Sequence, residues 1–187
     1  MSFSVVAKNN SSPAKDFFWR WSRKILIPFD DYKKKPSEKI LSKYKDDGYT
    51  NIIFVGRVVP NKCQEDVFGS FNEYQKHFNP RSRLFIVGTF METYFNRLKE
   101  YTERLGVKNV AFTGHCPFDE ILAYYRLADL FLCQSEHEGF CVPLAEAMCF
   151  DVPVVAYDSS AIAETLGGSG FAETPFDFAG FCLAASL

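Results

Sequence analysis

From residue 50 onward the chain alternates between two kinds of pattern. Short runs that are apolar throughout, "NIIFVG", "RLFIVG", "NVAFTG", "DLFLC" and "VPVVAY", are separated by longer stretches whose apolar residues recur at helical spacing. In 64–78 the stripe is Val67, Phe71, Tyr74 and Phe78, and in 91–105 it is Phe95, Leu98, Tyr101 or Thr102, and Leu105. "PFDEILAYYRLA", "VPLAEAMCF" and "SAIAETLGG" read as three further helices, and "GFAE" as the start of a sixth strand. Strands alternating with helices predict βαβ units. Strands without polar alternation predict a parallel sheet covered on both faces. Right-handed crossovers then give an α/β fold with an open, doubly wound, Rossmann-like parallel sheet. In such sheets ligands bind beyond the carboxyl ends of the strands, so the loops to inspect are "GRVVPNK", "GTFMET", "GHCPFDE" and "QSEHEGFC".

The first 48 residues break this rhythm and read as a linker and helical lead-in. "NNSSP" predicts a loop. "FFWRWSRK" mixes aromatic and basic residues, which suits either a linker packed on another surface or peripheral contact at a membrane interface. Pro36 and Gly48 bracket a short helix with Ile40, Leu41 and Tyr44 at helical spacing. Residues 49–175 are expected to form the ligand-binding domain, and 176–187 an irregular tail. At 187 residues and 47% hydrophobic content the chain can bury one core of ordinary size, not two comfortable ones.

Charge narrows the function classes. A net charge of -2 gives no basic surplus for nucleic acid. No run of about 18 apolar residues predicts a membrane span. The six cysteines lack C-x-x-C spacing and several lie in apolar runs, which suits reduced thiols in a cytoplasmic protein and no metal centre. Neither G-x-x-x-x-G-K-[ST] nor G-x-G-x-x-G occurs, which disfavours P-loop and nicotinamide enzymes.

Two loops carry candidate chemistry. In "VGRVVPNK", Arg57 follows a strand and Lys62 stands where a helix begins, with Asn61 placed to cap it and Gln64 three residues on. Two cations at a helix N-terminus make a phosphate clamp, or else two exposed surface charges. In "QSEHEGFCVPLAEAM", Pro143 suits the first helical position and the amides of Gly139, Phe140, Cys141 and Val142 precede it. Glu146 is expected in the first turn of that helix, where a carboxylate is favoured by the dipole and can accept from a vicinal diol such as ribose. Glu138 lies in the loop, suited to a sugar hydroxyl or a developing positive charge.

Glu138 and Glu146 flank seven residues in an E-x7-E arrangement that resembles the retaining GT-B glycosyltransferases of family 4, the group 1 glycosyltransferases. "FVGRVVPNK", "RLFIVG", "VAFTGH" and the block from "LAYYRLADLFLC" to "AETLGGSG" resemble that family's landmarks in the same order. The resemblance implies the C-terminal, donor-binding domain of such an enzyme. It implies that Arg57 and Lys62 neutralise the leaving nucleotide diphosphate with the amides of residues 139–142, that Glu138 contacts the donor sugar and that Glu146 holds the ribose. His115 stands where the family contacts base or sugar. The donor would be a UDP- or GDP-sugar, with no other cofactor, and the acceptor an unidentified glycan or lipid. No D-x-D occurs, and no metal is implied. An N-terminal acceptor domain, or a partner chain replacing it, is implied but has no counterpart in this sequence. A non-catalytic nucleotide-sugar-binding module and an inactive fragment are the alternatives. Cys141 departs from the family, which often has glycine there and readily takes positive φ.

Overall fold

The computed structural model describes residues 2–6, 29–166 and 171–175. The aromatic-basic segment 17–24, the "NNSSP" stretch and the tail 176–187 lie outside the described residues. Seven strands form one sheet: β1 (Ser2–Val6), β2 (Thr50–Val55), β3 (Ser82–Val87), β4 (Val110–Gly114), β5 (Leu130–Cys133), β6 (Val154–Tyr157) and β7 (Phe171–Pro175). Their order is β4-β3-β2-β5-β6-β1-β7. The five strands from β4 to β6 are parallel, as expected of a doubly wound sheet.

Six helices are described: α1 (Glu38–Tyr44), α2 (Gln64–His77), α3 (Glu92–Leu105), α4 (Phe118–Leu127), α5 (Val142–Cys149) and α6 (Ile162–Leu166). Successive strand residues point to opposite faces, so each apolar strand feeds two cores. Ile52, Phe54, Leu84, Ile86, Leu130, Leu132 and Val155 pack with Val67, Phe68 and Phe71 of α2 and Leu98 of α3. Ile53, Phe85, Val87, Phe131, Cys133, Val154 and Ala156 pack on the other face with Tyr124 and Tyr125 of α4, Leu144 and Ala147 of α5, and Ile162 of α6. That double demand is why these strands are apolar throughout.

The edge beyond β6 departs from the sequence reading. Ser2–Val6, expected within a lead-in, is a strand antiparallel to β6, and the strand begun by "GFAE" pairs antiparallel to β1. Thus β7 lies one strand away from β6, with β1 inserted between them.

The order of the strands fixes where a ligand can enter. The chain runs outward from β2 through β3 to β4, then returns to β5 on the other side of β2. The switch point lies between β2 and β5, the position where doubly wound sheets bind ligands. At its floor Asn51 N–H donates to Asp129 Oδ2 at 2.8 Å, Asp129 N–H returns to Asn51 O at 2.8 Å, and Asn51 Nδ2 donates to Leu127 O at 3.1 Å. Pairing of β2 with β5 is confined to Ile52↔Leu130 and Ile53↔Phe131, whereas β2 and β3 stay in register from Thr50↔Ser82 to Val55↔Val87. The ladder stops there, and the loops that follow β2 and β5 meet beyond Ile53 and Phe131, where such sheets hold their ligand crevice.

Candidate donor-binding site

The wall on the β2 side is the loop 56–63. Gly56 N–H donates to Val87 O at 2.9 Å, Val58 N–H to Thr89 O at 2.8 Å and Met91 N–H to Val58 O at 3.1 Å, which fastens this loop to the one after β3. The approach is close enough that a Cβ on Gly88, whose φ is 140°, would stand 2.2 Å from Gly56 O. Asn61 does not cap α2. Pro60–Lys62 forms a 3-10 turn, and Cys63, in left-handed conformation at φ 50° and ψ 49°, occupies the N-cap without a side-chain hydrogen bond. The extra turn takes Asn61 out of capping reach and uses its carbonyl to accept Glu136 N–H at 3.1 Å. Gln64, expected as the partner of Asn61, is buried and donates to Arg57 O at 3.2 Å.

The opposite wall is the loop 134–141. It is held from below by Gln134, whose Nε2 donates to Ser70 Oγ at 3.5 Å. From the side, Ser159 Oγ donates to Ser135 O at 2.5 Å, Thr165 Oγ1 to Phe140 O at 2.5 Å and Ala161 N–H to Glu138 O at 3.4 Å. Residues just ahead of α6 and within it thus brace the backbone that presents Glu138.

Across the crevice Lys62 Nζ donates to Glu138 Oε1 at 2.5 Å. The side chains are only 20% and 9% exposed, so each charge depends on the other for compensation. The ion pair spans the switch point and joins the two loops singled out in the sequence. Arg57 and His115 are exposed, and among the described residues no ion pair joins either to Glu138 or Glu146. His115 follows β4, at the far edge of the sheet from β5.

Glu146 has different surroundings. Helix α5 starts at Val142, with Pro143 second, so Glu146 lies in the second turn and not the first. Its Oε2 accepts Tyr125 O–H at 2.6 Å and its Oε1 accepts Tyr32 O–H. Tyr125 is fully buried on α4 and also donates to Pro143 O at 3.2 Å. Tyr32 comes from a 3-10 turn (Phe29–Lys33) ahead of α1, and its ring meets the edges of Phe118 and Phe150 at 5.4 Å and 6.1 Å. That lead-in is tied to α4 through Ser37 N–H and Asp119 O at 2.9 Å. Burial first, and then the bond to Glu146, hold the Tyr32 hydroxyl far above the usual tyrosine range. Burial and the Glu146 charge do the same to Tyr125. Both phenols therefore stay protonated donors. Neither is legible in the E-x7-E pattern: Tyr125 looks like one more apolar residue of a helical stripe, and Tyr32 sits more than a hundred residues upstream.

Cys141 takes φ 59° and ψ 67° at the N-cap of α5, the left-handed conformation that a glycine would adopt freely. Its thiol is buried beside that of Cys133 at the end of β5 and beside the Glu138 carboxylate. Ser135 Oγ is 3.3 Å from Cys133 Sγ. The neighbouring Cys133 thiol, then burial, hold the Cys141 thiol well above the ordinary range, and the same pairing draws the Cys133 thiol down.

Known proteins share this arrangement of chain. A sequence profile, "Glycosyl transferases group 1", matches residues 36–175. Mannosylfructose-phosphate synthase of Agrobacterium fabrum is 30% identical over 135 residues, covering 67% of this chain and 30% of that protein. A GDP-mannose-dependent alpha-(1-6)-phosphatidylinositol monomannoside mannosyltransferase of Mycolicibacterium smegmatis is 31% identical over 123 residues, covering 62% of this chain and 31% of that protein. Among solved structures, Anabaena HepE in complex with UDP and glucose superposes with a TM-score of 0.68 at 23% identity, over 85% of this chain and 44% of that one. The C-terminal domain of a group 1 family glycosyl transferase from Francisella tularensis superposes with a TM-score of 0.65 at 20% identity, over 86% of each chain. The chain spans about a third of the length of the curated relatives it matches. Among the described residues no helix is long and apolar enough to cross a membrane. With the profile running from just ahead of α1 to the end of β7, the chain belongs to the glycosyl transferases group 1 family.

Proposed function

We propose that this chain supplies the donor-binding half of a retaining glycosyltransferase of family 4, corresponding to the C-terminal domain of a GT-B enzyme, which moves a hexosyl group from a nucleotide diphosphate to a glycan or lipid acceptor. The observation that carries the proposal is the Lys62–Glu138 ion pair across the β2/β5 switch point. A matched pair of opposite charges at the ligand end of a doubly wound sheet suits the cleavage of a sugar–phosphate bond.

Breaking that bond puts negative charge on the departing diphosphate and positive, oxocarbenium-like charge on the sugar. In the ligand-free protein Lys62 and Glu138 neutralise each other. An entering donor would divide them: the diphosphate takes the Lys62 ammonium, and the sugar takes the Glu138 carboxylate. Each charge then faces the opposite charge that develops in the transition state, with no reorganisation at the moment of reaction. Arg57, exposed on the same loop, adds a guanidinium to the diphosphate, and the amides of Gly139, Phe140, Cys141 and Val142 share that load. With cations and amides in these roles and no D-x-D in the sequence, the transfer needs no metal ion. The acceptor attacks the face from which the diphosphate departs, which retains the anomeric configuration.

Glu146 would hold the ribose diol. Tyr125 keeps the carboxylate oriented, and the ribose hydroxyls replace or share the bond now made by Tyr32. His115 would approach the base or the sugar from the loop after β4. The Mycolicibacterium smegmatis relative is named for GDP-mannose and the HepE structure holds UDP, so both nucleotides belong in the test. Titration calorimetry should show saturable heat with UDP or GDP that Lys62→Ala and Glu146→Ala each weaken by at least about tenfold, the loss of one charge-assisted contact. Absence of heat with both nucleotides would refute donor binding. An unchanged Kd in Glu146→Ala would refute the ribose role alone.

A further inference from the structure

Three groups with metal-ligand chemistry converge where the sequence predicted none. Cys133 ends β5, Cys141 precedes α5 and Glu138 lies in the loop between them. One donor atom of each lies within 4.8 Å of the other two, and the group is buried. Tetrahedral Zn2+, with bonds of about 2.3 Å to sulfur and about 2.0–2.2 Å to oxygen, separates its donors by roughly 3.5–3.8 Å. Side-chain shifts of about 1 Å would therefore bring these donors into a first coordination sphere.

We propose that Cys133, Cys141 and Glu138 form a three-donor site for a thiophilic divalent cation of the Zn2+ type, leaving a fourth position to water, and that its occupancy excludes the nucleotide donor. Two observations support the site besides proximity. The first is charge. Two thiolates and a carboxylate carry three negative charges, and a divalent cation with the Lys62 ammonium carries three positive ones. The metal-loaded cluster, counted with the Lys62 that already bonds Glu138, is neutral, which a buried group requires. The second is an outer-shell partner. Ser135, 3.3 Å from Cys133 Sγ, supplies the hydroxyl that an outer-shell partner of a thiolate would use. Soft sulfur donors select Zn2+ and Cd2+ over Mg2+.

The metal-binding part stands on the cluster alone. The exclusion of donor rests on the proposed function, because it requires Glu138 and the backbone at Cys141 to serve the sugar-nucleotide. A metal held by both thiols commits Glu138 to the cation and fixes the loop that donor binding uses.

Cd2+ titration of the reduced chain, followed by thiolate-to-metal charge-transfer absorbance in the ultraviolet, separates these two parts. The proposal expects a band that saturates at one equivalent and is lost in Cys133→Ser and in Cys141→Ser. It should remain in Cys149→Ser, whose thiol lies outside the cluster. Glu138→Gln should keep the band and weaken the affinity on the order of tenfold or more. Circular dichroism melts confirm that each variant is folded. A band that survives in a folded Cys133→Ser/Cys141→Ser double variant, or no band in the parent, overturns the site. For the second part, one equivalent of Cd2+ should raise the Kd for UDP or GDP at least tenfold in the parent and leave it unchanged in the double variant. Equal nucleotide affinity with and without the metal overturns the exclusion. No nucleotide binding in metal-free protein refutes the proposed function and the exclusion built on it, while the band still decides the metal site.

Discussion

The two glutamates of the E-x7-E arrangement sit in opposite kinds of environment. Glu138 faces a cation across a crevice between two loops, and Glu146 is gripped by two neutral phenols from a core helix and from the lead-in. An ion pair at a switch point can be divided by a ligand that brings both charges. A carboxylate between two phenols is fixed in direction and has to release one of them to receive anything else. Two identical residue types, eight positions apart, are thus prepared for different tasks by what packs against them.

Substitutions at either glutamate's partners should separate the two environments, with the largest effect on the Glu138 side. Lys62→Ala leaves Glu138, only 9% exposed, without its cation. It should cost about 3 kcal/mol, read as a lower midpoint in urea unfolding, because removing one partner of a buried pair strands the other. Recovery of that stability in Lys62→Ala/Glu138→Gln would confirm the cause, and an unaltered midpoint in the single variant would show that the pair does not matter. Close behind is Gly88→Ala. Its Cβ would meet Gly56 O at 2.2 Å, so the loops that carry Lys62 and Thr89 must separate. We expect about 2–3 kcal/mol of lost stability and weaker nucleotide binding. Wild-type values for both would contradict the close loop packing.

On the Glu146 side the effects are smaller. Tyr125→Phe removes a buried donor from Glu146 and from Pro143 O, and should cost about 1–3 kcal/mol in thermal or urea unfolding. The smallest change is expected for Tyr32→Phe, which removes one hydrogen bond worth about 1 kcal/mol and leaves the ring packed on Phe118 and Phe150. On the proposed ribose role of Glu146 the hydroxyl would compete with the ligand, and calorimetry should then show tighter nucleotide binding by a few-fold. Weaker binding would mean that Tyr32 assists the ligand instead.

The parallel sheet was legible because strands buried on both faces have to be apolar along their whole length, and helices with one buried face have to be striped. β1 was not. "SFSVV" is short, has serine at two of its five positions, and is separated by more than forty residues from the next strand, so no local pattern announces that it pairs with Val154–Tyr157. In the site, the loops were legible from their place after strands, and the structure joins Lys62 to Glu138. The exact helix starts were not. Cys63 and Cys141 each take left-handed N-cap positions, which spacing rules written for Asn61 and Pro143 do not anticipate. Tyr32 and the Cys133–Cys141 contact depend on tertiary packing between segments that share no sequence signal.

Donor binding at the switch point is decided by a crystal structure of the chain soaked with UDP or GDP. The diphosphate is expected between Lys62 and the backbone of residues 139–142, with the Lys62–Glu138 ion pair opened. The ribose hydroxyls are expected within hydrogen-bonding distance of Glu146. A nucleotide bound away from the β2/β5 switch point, or bound there with the ion pair closed and Glu146 still held by both phenols, would overturn the proposed donor site.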